Sequence, residues 1–204
     1  MRRRKAIIRP CGHRRTLALN GYDFDKTIYE DDSTVDFYFY CIKRYKKTLV
    51  ELPFTAVAGL AFFVRLLPKK TFKQIFFRFL RHIPDTEAAV EEFWKVHSYK
   101  IKDCYLKRKR TDDIIISASP EFLLAPVCTH ATLIGSRVHP RTGKFTGENC
   151  FGQEKVNRLF AQFPGCTFEE FYSDSLSDAP LAALAQNAYL VTGNNCRPWP
   201  EDHR

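Results

Sequence analysis

Three consecutive isoleucines in the segment DDIIIS, residues 112–117, constrain the fold of this chain more than any other feature. A short, uninterrupted β-branched run is typical of a strand buried on both faces, and such strands belong to parallel sheets covered by helices. Helical and strand patterns then alternate, which predicts an α/β fold with a parallel sheet. The predicted helices are 120–128, 152–163 and 179–187, and the predicted strands are 132–138, 143–147, 168–174 and 188–193.

A first strand precedes a long helical block. Leucines at positions 17 and 19 alternate ahead of an Asn-Gly pair, which predicts a short strand that starts close to Asn20. Helical spacing begins at Ser33, which forms a weak capping box with Asp36. It continues to about residue 97, with Asp85 as the expected N-cap of the last helix.

This helical block lies between the first and second strands and is too long for a simple crossover. We therefore expect an inserted all-helical domain at 33–97, while 16–32 and 98–204 form the α/β core. The block holds ten of the chain's eighteen phenylalanines and eleven Lys or Arg against six Asp or Glu. These counts predict an aromatic core with a basic face, or alternatively a lid that meets an apolar or membrane-borne ester.

The most apolar segment, LPFTAVAGLAFFV at 52–64, contains thirteen uncharged residues. A membrane-spanning helix needs about 20 residues, so this segment predicts a buried helix or an interfacial one.

The formal net charge of +9 is concentrated at the start of the chain. Residues 1–15 carry seven Lys or Arg and no acid, so the rest of the chain carries only about +2 (9 − 7). This distribution argues against a nucleic-acid partner. We expect a disordered basic arm, with binding to an anionic surface as the alternative. The seven cysteines are scattered without a C-x-x-C pair, which favours reduced thiols in a cytoplasmic protein.

Polar side chains follow several of the predicted strands. In a parallel sheet these strand ends share one edge, where ligands bind. Crowded carboxylates raise the cost of ionising each other, and Mg²⁺ with a phosphate group would relieve that cost. The candidate residues are Asp23, Asp25, Thr27, Ser117, Lys155, Asp174 and Asp178.

Four motifs in order carry a family resemblance: DFDKT, IIIS, GQEKV and YSDSLSD. They resemble the D-x-D-x-T, Ser/Thr, Lys and D-x-x-x-D motifs of the haloacid dehalogenase-like (HAD) superfamily, in its phosphoserine phosphatase-like branch. The segments NCFGQEKVNRL and YSDSLSDAPL are also similar to bacterial members of the phosphatidylglycerophosphatase type. The resemblance implies a Rossmann-like core, a helical cap after the first strand and Mg²⁺-dependent phosphatase activity.

The resemblance also implies roles for single residues. Asp23 would be the nucleophile that forms an aspartyl-phosphate, and Asp25 the general acid and base. The presence of Asp25 favours phosphoryl transfer over dehalogenation. Thr27 would position Asp25 or the phosphate, Ser117 would bind a phosphoryl oxygen, and Lys155 would neutralise charge. The metal ligands would be Asp23, the backbone carbonyl of Asp25 and Asp174, with Asp178 in or beside that shell.

The sequence leaves several alternatives open. In many relatives the lysine stands where this chain has Phe151, so Lys155 would reach the site from one helical turn further on. Ser119 is expected to cap the helix at 120–128 rather than to bind a ligand. The expected partner is a small-molecule or lipid phosphate monoester, with peripheral membrane contact through the cap or the arm as an option. The rivals are a lipid-phosphate phosphatase or phosphotransferase at the membrane surface and a catalytically silent module that binds an anionic partner.

Overall fold

The computed structural model describes residues 19–203, so the predicted basic arm at 1–15 lies outside the described residues. Six strands form one sheet in the order β3-β2-β1-β4-β5-β6. All neighbouring strands pair in parallel except β6, which runs antiparallel to β5. The strands are β1 Asn20–Tyr22, β2 Ile114–Pro120, β3 Thr132–Ser136, β4 Phe168–Ser173, β5 Ala185–Thr192 and β6 Asn195–Pro198. The predicted α/β class is confirmed.

Strand β2 is buried on both faces, as its isoleucines predict. Ile115 belongs to one hydrophobic cluster together with Tyr22. Ile114 and Ile116 point to the opposite side and belong to a second cluster, which includes Leu159. The pleat alternates side chains between the two faces, so three adjacent isoleucines serve two cores.

Strand β1 is short and lies at the centre of the sheet, between β2 and β4. It spans Asn20–Tyr22, in agreement with a start close to Asn20. A side chain at Gly21 would collide with the rings of Phe168 and Phe171, because a Cβ there would lie 2.9 Å from both. The glycine therefore lets the aromatic core approach the strand just before the loop that follows it.

Helices fill the chain between β1 and β2 and also flank the sheet. They are α1 Ser33–Arg44, α2 Leu52–Phe63, α3 Lys69–Phe76, α4 Thr86–His97, α5 Asp103–Leu106, α6 Glu121–Leu124, α7 Gln153–Gln162 and α8 Ala179–Ala182. A 3-10 segment, Phe77–His82, continues α3. The order of elements matches the predicted helical insertion, whereas the exact domain limits at 33 and 97 stay a prediction.

The N-cap of α1 differs from the prediction. Asp32 caps this helix by accepting a hydrogen bond from Val35 N at 3.0 Å, whereas Ser33 is already the first helical residue. Asp85 caps α4 as predicted, because its side chain accepts from Ala88 N.

Aromatic rings form the core of the insertion, as its composition predicts. The ring of Phe37 meets Phe93 at 5.4 Å and Phe79 at 6.2 Å, both edge to face. Trp94 Nε1 donates to the carbonyl of Leu123 at 2.6 Å and so ties α4 to α6, the short helix that follows β2. One hydrophobic cluster therefore spans both the insertion and the sheet.

Three predicted elements after β2 are shorter or different. The helix expected at 120–128 ends at Leu124, and the strand expected at 143–147 is reduced to a bridge between Val138 and Phe145. The helix expected at 179–187 ends at Ala182, because the following residues join β5. Here pairing with the parallel neighbour β4 overrides the local helical pattern.

The apolar segment 52–64 forms α2, of which only Ala58 is buried. The prediction of a buried helix is therefore wrong, and the interfacial alternative stays open. Within residues 19–203, no helix combines the length and apolarity that crossing a membrane requires.

Candidate active site

The predicted site residues meet at one edge of the sheet, around a cavity of about 360 Å³. The loop after β1 is held in place because Asp23 N donates to the carbonyl of Tyr172 on β4 at 2.8 Å. Six of the seven candidates line this cavity, and Thr27 does not. The six are Asp23, Asp25, Ser117, Lys155, Asp174 and Asp178.

Lys155 connects two of the aspartates. Its Nζ atom lies 2.8 Å from Asp23 Oδ1 and 2.7 Å from Asp178 Oδ2. The lysine stands in the first turn of α7, and its side chain is only 3% exposed. It therefore reaches the site from its position four residues after Phe151.

The protonation of this cluster is set by burial and by neighbouring charge. Burial raises the pKa of the Asp23 carboxyl, and the carboxylate of Asp178 adds to this rise while Lys155 opposes it. Burial alone would lower the pKa of Lys155, but Asp23 and Asp178 outweigh it and raise that pKa. Lys155 therefore stays cationic, and further positive charge would favour the ionised form of Asp23.

Asp25 is fixed by two donors. Ser33 N donates to Asp25 Oδ1 at 2.7 Å, and Ser119 Oγ donates to Asp25 Oδ2 at 2.5 Å. The Ser119 hydroxyl also lies 2.8 Å from Thr34 Oγ1. Burial and the nearby Asp32 raise the pKa of Asp25 to about 6, against the lowering effect of its hydrogen bonds.

The structure corrects the expectation for Ser119; for Thr27 only the contact with Asp25 is missing, and its alternative role toward the phosphate stays a prediction. The N-cap of α6 is Pro120, and the hydroxyl of Ser119 bonds to Asp25 instead of capping that helix. Thr27 makes no hydrogen bond to Asp25; its hydroxyl is buried and has no hydrogen-bond partner among the described residues. The signal for Ser119 in the sequence was its position two residues after Ser117, where side chains on a strand face the same side.

Ser117 and Asp178 complete the floor of the cavity. The Ser117 side chain is buried, and its hydroxyl accepts a hydrogen bond from Ser119 N at 3.1 Å. Ser173 Oγ donates to Asp178 Oδ2 at 2.7 Å, so one Asp178 oxygen serves both Ser173 and Lys155. The other oxygen, Oδ1, is buried and has no hydrogen-bond partner within the described residues.

The donor set fits a single Mg²⁺ better than a fully protein-bound metal. Within residues 19–203, no three His, Cys, Asp or Glu side chains are grouped so that they could hold a metal ion. Mg²⁺ usually binds through one or two carboxylates, together with waters and substrate phosphate oxygens. Asp23 and Asp174 offer such carboxylates beside the cavity, and burial raises the pKa of Asp174 as well.

Two lysines of the insertion, which the sequence interpretation did not single out, also line the cavity. Lys73 Nζ donates to the carbonyl of Ala118 at 3.1 Å and to Asn149 Oδ1 at 3.0 Å. Burial, reinforced by the charge of Lys69, lowers the pKa of Lys73 to about 8. Lys69 Nζ lies 3.4 Å from the centroid of the Phe151 ring. Their spacing of four residues on α3 was the available signal, because it places both on one helix face.

Solved structures with the same fold have low sequence identity to this chain. A protein of unknown function from Bordetella pertussis Tohama I matches with a TM-score of 0.67 and 19% identity, covering 83% of this chain and 87% of its own. A HAD family hydrolase from Salmonella enterica serovar Typhi matches with a TM-score of 0.58 and 13% identity, over 82% of this chain and 59% of its own. A phosphoserine phosphohydrolase-like protein from Francisella tularensis matches with a TM-score of 0.50 and 15% identity, covering 84% of this chain and 86% of its own.

No curated protein sequence matches this chain. The family model of haloacid dehalogenase-like hydrolases, however, matches residues 21–183, from strand β1 before Asp23 to the end of α8 after Asp178. This match confirms both the resemblance carried by the four motifs and the prediction of a hydrolytic enzyme: the chain belongs to the haloacid dehalogenase-like hydrolase family.

Proposed function

We propose that this protein is a Mg²⁺-dependent phosphomonoester hydrolase that acts through an aspartyl-phosphate on Asp23. The contact between buried Lys155 and Asp23 Oδ1 carries this proposal, because it holds a carboxylate beside a cation at the edge where ligands bind. The fold shared with a phosphoserine phosphohydrolase-like protein is consistent with it.

In the first step, a carboxylate oxygen of Asp23 attacks phosphorus. The bond between phosphorus and the alcohol oxygen breaks, and protonated Asp25 gives its proton to that oxygen. In the second step, Asp25 takes a proton from water as the water attacks phosphorus. The P–O bond to Asp23 then breaks, inorganic phosphate leaves and both aspartates return to their starting state. Ser33 and Ser119 keep the Asp25 carboxyl in one orientation during both transfers.

Charge on the phosphoryl group is balanced from several sides. Lys155 faces Asp23, the Ser117 side chain comes from the middle of β2, and Lys73 approaches from α3. These groups would bind phosphoryl oxygens as negative charge accumulates in the transition state. Mg²⁺, held by Asp23, the Asp25 carbonyl and Asp174, would supply positive charge to the phosphate and the nucleophile. Asp178 holds Lys155 in position.

The helical insertion would serve as a cap over this site. Its helix α3 contributes Lys69, Phe72, Lys73 and Phe76 to the cavity wall opposite the strand ends. A cap in this place excludes water from the first step and must open to release the alcohol.

The test is hydrolysis of p-nitrophenyl phosphate with Mg²⁺ and with EDTA. Asp23→Asn keeps the size of the side chain but removes the nucleophilic oxygen, so activity should fall by at least about a thousandfold. Asp202→Asn changes an exposed carboxylate elsewhere and serves as the matched control. Equal activity of Asp23→Asn and the wild type would rule out Asp23 as the nucleophile, and unchanged activity in EDTA would rule out the metal.

A second candidate function is a lipid-phosphate phosphatase or phosphotransferase on the same site. The aromatic wall of the cavity favours it, because rings of Phe72, Phe76, Phe77 and Phe151 stand beside the basic residues. A substrate panel of small and lipid phosphates separates the two, and added alcohol acceptors would reveal phosphotransfer. A catalytically silent binding module is disfavoured, since it has no need to bury Asp23, Asp178 and Lys155 together.

A further inference from the structure

Helix α2 presents large apolar side chains to solvent. We define the α2 surface as Phe54, Val57, Leu60, Phe63 and Leu66, the last of which follows the helix. Their exposed fractions are 53%, 70%, 66%, 83% and 80%. Single exposed apolar residues are ordinary, but a contiguous group of this kind marks an interaction site.

The dimensions of α2 decide how it can meet a bilayer. Its twelve residues give a length of about 18 Å, against a hydrocarbon core of about 30 Å. The helix is therefore too short to span, although its sequence from Leu52 to Phe63 contains no charged residue. A short apolar helix on the outside of a folded domain is suited to lie in the boundary between headgroups and acyl chains.

Charge around α2 identifies the kind of partner. Residues 42–84 contain ten Lys or Arg and a single acid, Glu51. That glutamate is buried and pairs with Arg78 and His82, so it cancels one of the ten positive charges and leaves the segment strongly basic. A second copy of the chain would bring like charge against like charge. Anionic lipid headgroups instead complement this surface.

The α2 surface is continuous with the cavity of the candidate active site. The ring of Phe62 on α2 stacks on Phe72 at 5.1 Å, and Phe72 meets Phe76 at 6.1 Å. Both Phe72 and Phe76 line the cavity. A row of aromatic rings therefore leads from the exposed helix into the site, so a surface that contacts α2 also lies beside the cavity entrance.

We propose that α2 docks into the interfacial region of an anionic lipid bilayer and holds the cavity entrance at the level of the headgroups. The apolar side chains of the α2 surface enter the acyl boundary. The basic residues on either side of the helix, among them Lys46, Lys47 and Arg65, face the anionic headgroups. This docking does not depend on the chemistry at Asp23.

The test is flotation of the full-length protein with vesicles of phosphatidylcholine alone or with about 30% phosphatidylglycerol. The wild type should float with the anionic vesicles. The triple variant Leu60→Gln, Phe63→Gln, Leu66→Gln should lose at least about tenfold in binding, because each change removes apolar area from the contact. The matched control is Val96→Gln, Tyr99→Gln, two exposed residues outside the α2 surface, which should bind as the wild type does.

Further variants test the charge contribution and separate docking from catalysis. Lys46→Gln, Lys47→Gln should weaken binding to anionic vesicles roughly fivefold per charge, with a smaller effect at high salt. Asp23→Asn should bind as the wild type does, so loss of catalysis is read separately from loss of docking. The proposal is overturned if the wild type stays with the soluble fraction, or if the triple variant, with an unchanged circular dichroism spectrum, floats as well as the control. It is also overturned if light scattering finds a dimer that the triple variant dissociates.

Discussion

Lys155 Nζ lies 2.8 Å from Asp23 Oδ1, in a contact between two buried side chains that are 132 residues apart in the chain. The contact joins the first turn of α7 to the loop that follows β1. It fixes the carboxylate of Asp23 from one side, while the hydrogen bond of Asp23 N to the carbonyl of Tyr172 fixes its backbone from the other. The orientation of the proposed nucleophile is thus determined by three elements of the core.

Replacing Lys155 by methionine should destabilise the fold. The variant leaves the carboxylates of Asp23 and Asp178 buried without their cation, and loss of one partner of a buried ion pair costs about 3–5 kcal/mol. Urea unfolding near pH 7.5 in EDTA measures this loss, with exposed Lys107→Met as the control. If Lys155→Met has the same free energy of unfolding as the wild type, Asp23 and Asp178 are not ionised partners of Lys155.

Ser119 and Thr27 should respond in opposite ways. Ser119→Ala removes the hydroxyl that holds Asp25 Oδ2. A hydrogen bond to a charged group contributes about 1.5–3 kcal/mol, so kcat should fall about tenfold or more while KM stays nearly constant. Thr27→Val replaces a buried hydroxyl for which the described residues offer no partner, and kcat should be preserved. Ser119→Thr should restore part of the loss. If Thr27→Val instead lowers kcat and Ser119→Ala does not, Thr27 rather than Ser119 positions Asp25.

Lys73 should give substrate binding a pH dependence. Its lowered pKa of about 8 means that the ammonium is charged below that pH and is lost as the pH rises through it. KM for p-nitrophenyl phosphate should therefore rise severalfold between about pH 7 and pH 9, because an attractive charge disappears. Lys73→Met should have a high KM at both values, and Lys73→Arg should keep a low KM at both. Lys70→Met, beside it on α3 but outside the cavity lining, is the control.

Two aspartates of the candidate site can be predicted from the sequence because they follow strands, and the end of a strand can be recognised from local pattern. Asp23 and Asp174 needed only the positions of β1 and β4. Ser119 could not be assigned in this way, because its role depends on contacts with Asp25 in the loop after β1 and with Thr34 in α1, which only the folded chain brings close. The contribution of Lys73 likewise depends on how α3 packs against the end of β2.

Dependence on contacts between distant parts of the chain also explains why the burial of α2 was predicted wrongly and why β6 was not predicted. Helix α2 is apolar all round, a pattern that ordinarily indicates burial, yet only Ala58 is covered. The exposure of a helix depends on how much partner surface the rest of the chain supplies, and periodicity contains no information on that amount. Strand β6 lies at the edge of the sheet and pairs only with β5, so its residues Asn195–Pro198 have no buried face to create an alternating pattern.

Asp113 should make the folded state less stable as the pH rises. This residue precedes β2 and is fully buried; its Oδ2 accepts from Arg110 N at 2.7 Å, while Oδ1 has no hydrogen-bond partner among the described residues. Burial, with a smaller contribution from Asp112, raises its pKa to about 6.

The sign follows from proton binding. An unfolded aspartate has a pKa of about 3.9, so between about pH 4 and pH 6 the folded protein holds this proton more tightly than the unfolded chain does. The stability contributed by Asp113 is therefore greatest below pH 4 and falls by at most about 1.4 kcal/mol per pH unit up to pH 6. Asp113→Asn keeps an acceptor for Arg110 N and should lack this fall. Urea unfolding at a series of pH values compares this variant with Asp202→Asn, which should retain the wild-type dependence of unfolding free energy on pH. If both variants show the same dependence, Asp113 is ionised in the folded protein at acidic pH.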